Sequence, residues 1–254
     1  MQYTGERIIP EIADCGPGTL IYETHVARYR FAAVYVGHAT VLDIACGVGY
    51  GTRLLADAGA KVAIGGDVST QAIRFAQQRY STNNTRFLPM GAEALPLPSS
   101  SVDCVVSFET LEHVASGERF VKEASRVLSS KGVLVISTPN AKTYGRGKEV
   151  PDNPFHTHEF SHDEFEALLG KHFTEVKMFA QRSLRRRSKL AIGVDAIART
   201  IRSWDRFGWR RSLLGRSVRT RLETAVDAYD RNPIVRPLMP GDEPLFYIAV
   251  ARRD

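Results

Sequence analysis

Two acids frame a run of glycines in "VLDIACGVGYGTRLLADAGAKVAIGGDVS", Val41 to Ser69. Asp43 and Asp67 each close a short apolar run, and Gly47, Gly49 and Gly51 fill the turn after the first. Glycine lets a backbone approach a ligand closely, and an acid at a second strand end can accept hydrogen bonds from both hydroxyls of a ribose. Asp67 follows Gly47 at the distance that role requires. The pattern therefore suits an adenosine-containing cofactor. The third glycine falls one residue too early for the dinucleotide pattern GxGxxG, and Asp43 stands where a pyrophosphate site is normally apolar. An acid there matches a ligand with a cationic amino group, such as S-adenosylmethionine.

Two further stretches carry groups that could move a proton. "FETLEHV" supplies His113 with Glu109 and Glu112 close by, and "NPFHTHEFS", residues 153–161, supplies His156, His158 and Glu159. Methyl transfer from a sulfonium is an in-line displacement, for which alignment and exclusion of water provide much of the acceleration. An alcohol acceptor is almost wholly protonated at neutral pH, so a positioned base contributes about 10²–10⁴-fold more. His113, His156 and His158 are the candidate bases, set against the alternative that they only hydrogen-bond locally. If the second loop is extended, His156 and His158 share one face and Glu159 takes the other. That loop could supply a base, a substrate clamp, or part of a divalent-metal site, magnesium included, built from His156, His158 and Glu159. His162, at a helix start, reads as a surface residue.

These groups need a scaffold that brings strand ends together. Apolar runs alternate with helical patterns through the middle of the chain, which predicts βαβ units and a parallel sheet. The strands are read at 40–45, 62–67, 85–90, 102–108 and 132–139, with further strand-like runs at 174–181 and 244–253. Helical patterns fall at 51–59, 69–80, 117–128 and 162–173, with Ser69 and Ser161 as caps. The expected architecture is an α/β, Rossmann-like, seven-stranded and mostly parallel sheet with helices on both faces. Its parts are an N-terminal helical lid (1–39), a cofactor-binding core (40–181), a basic helical insertion (182–243) and a last core strand (244–254). On a helix, Tyr22, His25 and Tyr29 share a face; they either pack on the sheet or form a lid from which Tyr22 and Arg28 reach the cofactor or acceptor.

A chain of 254 residues accommodates one sizeable domain. It has no apolar run of eighteen residues, and its first residues lack the basic-then-apolar order of a secretory signal, so the expected location is the cytoplasm. Cys15, Cys46 and Cys104 lack metal-ligand spacing and read as buried thiols. The net charge of +6 is uneven: residues 182–221 carry twelve Arg and one Lys against Asp195 and Asp205, leaving the remainder acidic. Within that segment Leu190, Val194, Ile197, Ile201 and Trp204 form an apolar stripe. It reads as a packed helix, as an interfacial helix peripheral to an anionic membrane, or as an acceptor lid. Nucleic acid is disfavoured, because no RNA-binding module or "NPPY"-type motif accompanies the basic stretch.

In order and spacing, these motifs resemble the class I S-adenosylmethionine-dependent methyltransferases from Val41 to Phe173. "VLDIACGVGYGT" is similar to the family's first motif and "GGDVS" to its ribose-binding acid. "GAEALPLPSSSVDCVVSFETLEHV" resembles the adenine-side motif with the next strand, and "RVLSSKGVLVISTPN" the fifth strand. The resemblance implies cofactor contacts at Asp43, Ala45, Gly47, Gly49, Asp67, Val68, Ala92, Glu93 and Phe108. It departs at Gly91, where the family commonly has an acid; adenine is then left to the Ala92 N–H and Glu93, unless Glu93 serves a helix start. "YTGERIIPE", "IYETHVARYRFAA" and "NPFHTHEF" resemble a subgroup found among sugar-modifying and polysaccharide-biosynthesis enzymes. That implies O-methylation of a carbohydrate or glycolipid hydroxyl, with Tyr22, Arg28, Glu109 and Glu159 toward the acceptor. A quinone, lipid or small aromatic acceptor is the alternative, since "LEHV" resembles that group too; a non-catalytic cofactor-binding regulator is another. A homodimer stays open.

Overall fold

The computed structural model describes residues 8–13, 15–144, 151, 153–183 and 234–253. After a helix α1 (Leu20–Ala32) come β1 (Thr40–Ile44), α2 (Tyr50–Asp57), β2 (Val62–Asp67), α3 (Thr70–Tyr80), β3 (Thr85–Pro89), β4 (Val102–Phe108) and α4 (Gly117–Val127). Then follow β5 (Leu128–Pro139), α5 (His162–Gly170), β6 (Glu175–Ser183), β7 (Val235–Pro237) and β8 (Pro244–Arg252).

The strands form one sheet in the order β3-β2-β1-β4-β5-β8-β6-β7. The first five run parallel, β8 lies antiparallel to β5 and β6, and β7 lies antiparallel to β6. The order reverses between β1 and β4, so the loops leaving those strands part and open a crevice at their carboxyl ends. Each of the chemistry-bearing stretches lies in a loop leaving that edge. β1 and β4 are buried nearly throughout because helices cover both faces of a parallel sheet. One buried cluster gathers Leu42, Val105, Leu134, Phe120 and Phe165; the other gathers Val41, Leu55, Val106, Val135 and Tyr29.

The helix starts follow their capping residues. Thr19, Ser69, Ser116 and Ser161 each accept a hydrogen bond from a first-turn amide, and Ser161 with Glu164 completes a reciprocal capping box. The three cysteines are free and buried, as their apolar settings imply.

The seven-strand expectation is corrected to eight. The added strand β7 falls within the stretch assigned to the insertion; it is three residues long and contains Pro237, too short a pattern to read. At the outer edge of the sheet, proline's missing N–H breaks no central ladder. β5 also begins at Leu128 instead of Gly132, because a register shift between Val102 and Cys104 absorbs extra residues around Lys131, which is left-handed at φ 64°. The basic segment, including the stripe from Leu190 to Trp204, lies outside the described residues, apart from its flanks. Among the described residues no helix is long and apolar enough to cross a membrane.

Candidate active site

The turn after β1 winds through three left-handed residues: Ala45 (φ 61°), Gly47 (φ 57°) and Gly49 (φ 88°). Ala45 is exposed in spite of that conformation, which a Cβ-bearing residue rarely adopts, so the surrounding structure must hold it there. A Cβ on Gly49 would lie 2.6 Å from Ala76 Cβ and 2.7 Å from Phe87 Cε1, so only glycine lets α3 and β3 close on the turn. No side chain caps α2 at Gly49, which leaves its N-terminal amides, the positive end of the helix dipole, to face whatever occupies the edge. At the end of β2, Asp67 is buried and accepts hydrogen bonds from Gly47 N (3.0 Å) and Ser69 N (2.8 Å), which ties the two loops together. The next residue, Val68, is 72 % exposed, an apolar surface opposite the Gly91–Ala94 turn. A Cβ on Gly91 would meet Val68 Cγ1 at 3.8 Å, ordinary contact, so Gly91 is not required there by packing.

Asp43 lies deeper, 1 % exposed, and accepts from Thr52 Oγ1 (2.6 Å) and more distantly from the Tyr29 hydroxyl (3.3 and 3.4 Å). Burial pushes its carboxyl up to about 7, against the two hydrogen bonds that lower it, and neighbouring Asp67 adds to the rise. Tyr29 reaches Asp43 because its ring rests where a Cβ on residue 51 would be, which accounts for Gly51. Its ring also meets Phe108 and Tyr50 edge-on, at 5.0 and 5.8 Å, and Tyr22 lies 5.7 Å from Tyr50. The N-terminal helix thus covers the Asp43 side of the crevice with aromatic rings.

Arg28 is placed differently from the acceptor-facing role expected of it. It is wholly buried, bonded through Nε to Gln181 (2.7 Å), paired through Nη1 with Glu109 (3.0 Å) and set 4.3 Å from the centre of the Phe246 ring. It joins α1 to β4, β6 and β8 and fixes Glu109 from behind. Glu109 itself is left-handed (φ 52°) immediately after β4, and Ser137 both donates to its carboxylate (2.7 Å) and accepts from its amide (3.2 Å). A non-glycine residue held there is strained, and the chain carries one immediately after each of β1 and β4, Ala45 and Glu109.

The histidine loop is turned where an extended chain was expected. Asn153 accepts from the amides of Phe155 and His156, and Thr157 is clamped to the Glu112 and Val114 carbonyls. The turn pairs His156 with Glu159, Nδ1 to Oε1 at 2.9 Å, both side chains nearly buried. His158 is directed elsewhere: it packs on Phe160 and faces Glu164 at 3.7 Å, half exposed. The grouping of His156, His158 and Glu159 is therefore corrected, because an i, i+3 contact in a turn replaces the i, i+2 face of an extended strand. His113 takes the vacated place. Its Nδ1 donates to the Phe155 carbonyl (3.0 Å), and its ring stands edge-on to His156 at 4.9 Å. Tyr144 stacks on the His156 ring at 5.6 Å. Beneath them, Glu112 is fully buried, accepts from Thr138 Oγ1 (3.1 Å) and directs Oε1 toward His113 Nε2 at 4.0 Å. Burial and the nearby Glu109 carboxylate push the Glu112 carboxyl well above its usual range. The sequence marks Glu112 only as a close neighbour able to orient His113; nothing in its pattern signals that it is buried beneath the pair.

Glu93 is directed toward the start of α4, accepting from Ala115 N (3.3 Å) and pairing with Arg119 (3.0 Å). That geometry supports a helix-start role for it over recognition of a base.

The sheet order, the left-handed turn and the acid ending the second strand are those of a Rossmann-like methyltransferase fold. Residues 42–136 match the family described as a methyltransferase domain. Over 166 residues, 65 % of the chain and 58 % of the relative, it is 38 % identical to a "probable S-adenosylmethionine-dependent methyltransferase" of Mycobacterium tuberculosis. It is 32 % identical over 144 residues, 52 % of the chain and 58 % of the relative, to the ubiquinone biosynthesis O-methyltransferase of Brucella anthropi. The chain thus spans somewhat under two thirds of these relatives. A solved S-adenosylmethionine-dependent methyltransferase from Archaeoglobus fulgidus shares the fold, with a TM-score of 0.60 at 16 % identity, covering 93 % of this chain and 95 % of that one. Residues 42–136 thus match a methyltransferase domain, and the chain has the Rossmann-like fold of S-adenosylmethionine-dependent methyltransferases.

Proposed function

We propose that the protein transfers a methyl group from S-adenosylmethionine to a hydroxyl of a carbohydrate or glycolipid acceptor. The residues at the edge fit the cofactor. Asp67 places a buried carboxylate at the end of the second strand, where ribose hydroxyls would donate to it, the exposed Val68 offers an apolar surface for a base, and the glycines of the Gly47–Gly49 turn would let backbone approach the ligand closely. Asp43, its carboxyl pushed up to about 7 by burial, would be drawn to the fully ionised form by a cationic amino group nearby. When bound, S-adenosylmethionine supplies an electrophilic methyl group.

The observation that carries the acceptor reading is the anchored histidine pair. With Nδ1 of each ring held by an acceptor, His113 and His156 keep the Nε2 lone pair for a substrate proton. His113, whose side chain is 32 % exposed, is the ring open to an acceptor, and His156 with Tyr144 forms the wall beside it. An aliphatic alcohol needs such a base; a phenol, with a pKa near ~10, needs it less. A hydroquinone-type acceptor is the second reading, favoured by the name of the Brucella anthropi relative.

The test is transfer of label from methyl-labelled S-adenosylmethionine into fractionated oligosaccharides and glycolipids, with quinol and phenolic acceptors in parallel. Label in a carbohydrate ether supports the proposal. Label confined to quinols replaces it with the second reading, and no transfer to any acceptor by a chain that binds the cofactor supports a regulator.

A further inference from the structure

Among the described residues, Glu112 Oε1 is a buried carboxylate oxygen without a hydrogen-bond partner, and it is grouped with two imidazoles. One ligand atom each from Glu112, His113 and His156 lies within 4.8 Å of the others. The Glu112 to His113 separation of 4.0 Å is too long for a hydrogen bond and leaves space for a small cation between them. A buried polar atom left unmatched is costly, and in a folded protein it calls for an explanation.

We propose that Glu112, His113 and His156 bind a divalent transition-metal ion, with zinc the best match to their ligand chemistry. Both rings are prepared for it: Nδ1 is engaged by the Phe155 carbonyl in one and by the Glu159 carboxylate in the other, which fixes the tautomer with Nε2 free. A carboxylate or carbonyl behind the imidazole is the support that metal-binding histidines commonly have. Two imidazoles and one carboxylate suit zinc and its neighbours; magnesium prefers an all-oxygen shell, so the magnesium expectation is replaced. Around an ion with bonds of about 2.0–2.1 Å the ligand atoms move closer together by roughly an ångström, within reach of side-chain rotation. Three protein ligands leave a fourth position, and the exposed side of His113 leaves it accessible.

The inference rests on reading this edge as the acceptor site: the open position would take an acceptor hydroxyl oxygen, and the rings would then hold that oxygen through the cation. A cation so placed lowers the pKa of the hydroxyl that it binds.

The experiment is titration of the untagged, chelator-stripped full chain with zinc chloride, read by calorimetry and by metal content after dialysis. One zinc per chain is expected. Glu112→Gln and His113→Ala should each weaken binding by 10²-fold or more, Glu159→Gln by 10–100-fold, and His158→Ala not at all. Cobalt substituted for zinc should give a visible absorption spectrum that His156→Ala changes. Glu112→Gln preserves shape; if it unfolds, the partly exposed His113→Ala carries the test. Absence of stoichiometric zinc, or binding indifferent to both variants, overturns the site. Labelled S-adenosylmethionine binding measured in chelator keeps the two readings apart. Full methyl transfer by stripped protein removes the metal from the reaction and leaves the histidine base standing, whereas zinc bound by a chain inert toward every acceptor supports the site alone.

Discussion

Asp43 has an unusual setting for a carboxylate: it is buried, supported by Thr52 and Tyr29, and its carboxyl is pushed up to about 7 by burial. Its folded-state pKa lies above the ordinary aspartate value, so its contribution to stability is complete below about pH 4 and is lost as the pH rises to about 7. Asp43→Asn lacks that loss. Without cofactor, the stability of the variant relative to wild type should therefore grow from pH 4 to 7, by up to about 1.4 kcal/mol per pH unit. Urea unfolding across that range checks it, and parallel profiles would show that Asp43 titrates normally. Among the histidines, His113→Ala and His156→Ala should lower turnover by about 10²–10⁴-fold while cofactor affinity holds. His158→Ala should stay near wild type in the same steady-state assay, since its ring faces Glu164.

Elements place these residues through a few local constraints. Gly49 is the point at which α2, α3 and β3 meet, with φ at 88° and no space for a Cβ. Gly49→Ala combines about 1–2 kcal/mol of left-handed strain with about 1–3 kcal/mol of overpacking. It should lower the melting temperature and weaken cofactor binding together; a variant with wild-type melting and affinity would contradict the fit. Much of this level was legible in sequence. Buried parallel strands show as continuous apolar runs, so β2 and β4 match their expected limits, and Ser69 and Ser161 cap as expected. The histidine loop was not legible: whether "NPFHTHEFS" is extended or turned depends on the Asn153 turn and on the Thr157 contacts across to Glu112 and Val114, which are long-range in sequence. The same holds for Glu112, whose burial only the assembled loops create. β7 escaped because three residues ending in proline carry no periodic signal.

In the whole molecule, Arg28 links the N-terminal helix to the sheet. It meets Gln181 on β6, Phe246 on β8 and Glu109 at the end of β4, residues far apart in the chain. Breaking such a buried pair by removing one partner costs about 3–5 kcal/mol. Arg28→Met should destabilise the chain by that order in denaturant unfolding, and Arg28→Met with Glu109→Gln should recover part of the loss. An unchanged midpoint would mean that the helix is held by its apolar face alone. The central claim, however, is that the carboxyl edge holds S-adenosylmethionine through the second strand's acid. Titration calorimetry of S-adenosylmethionine against wild type and Asp67→Ala tests it most directly. One cofactor should bind per wild-type chain, and its affinity should fall at least 10²-fold in the variant, the effect of losing two charge-assisted hydrogen bonds of roughly 1.5–3 kcal/mol each. Equal affinity in the two proteins, or no binding to wild type, would contradict the account.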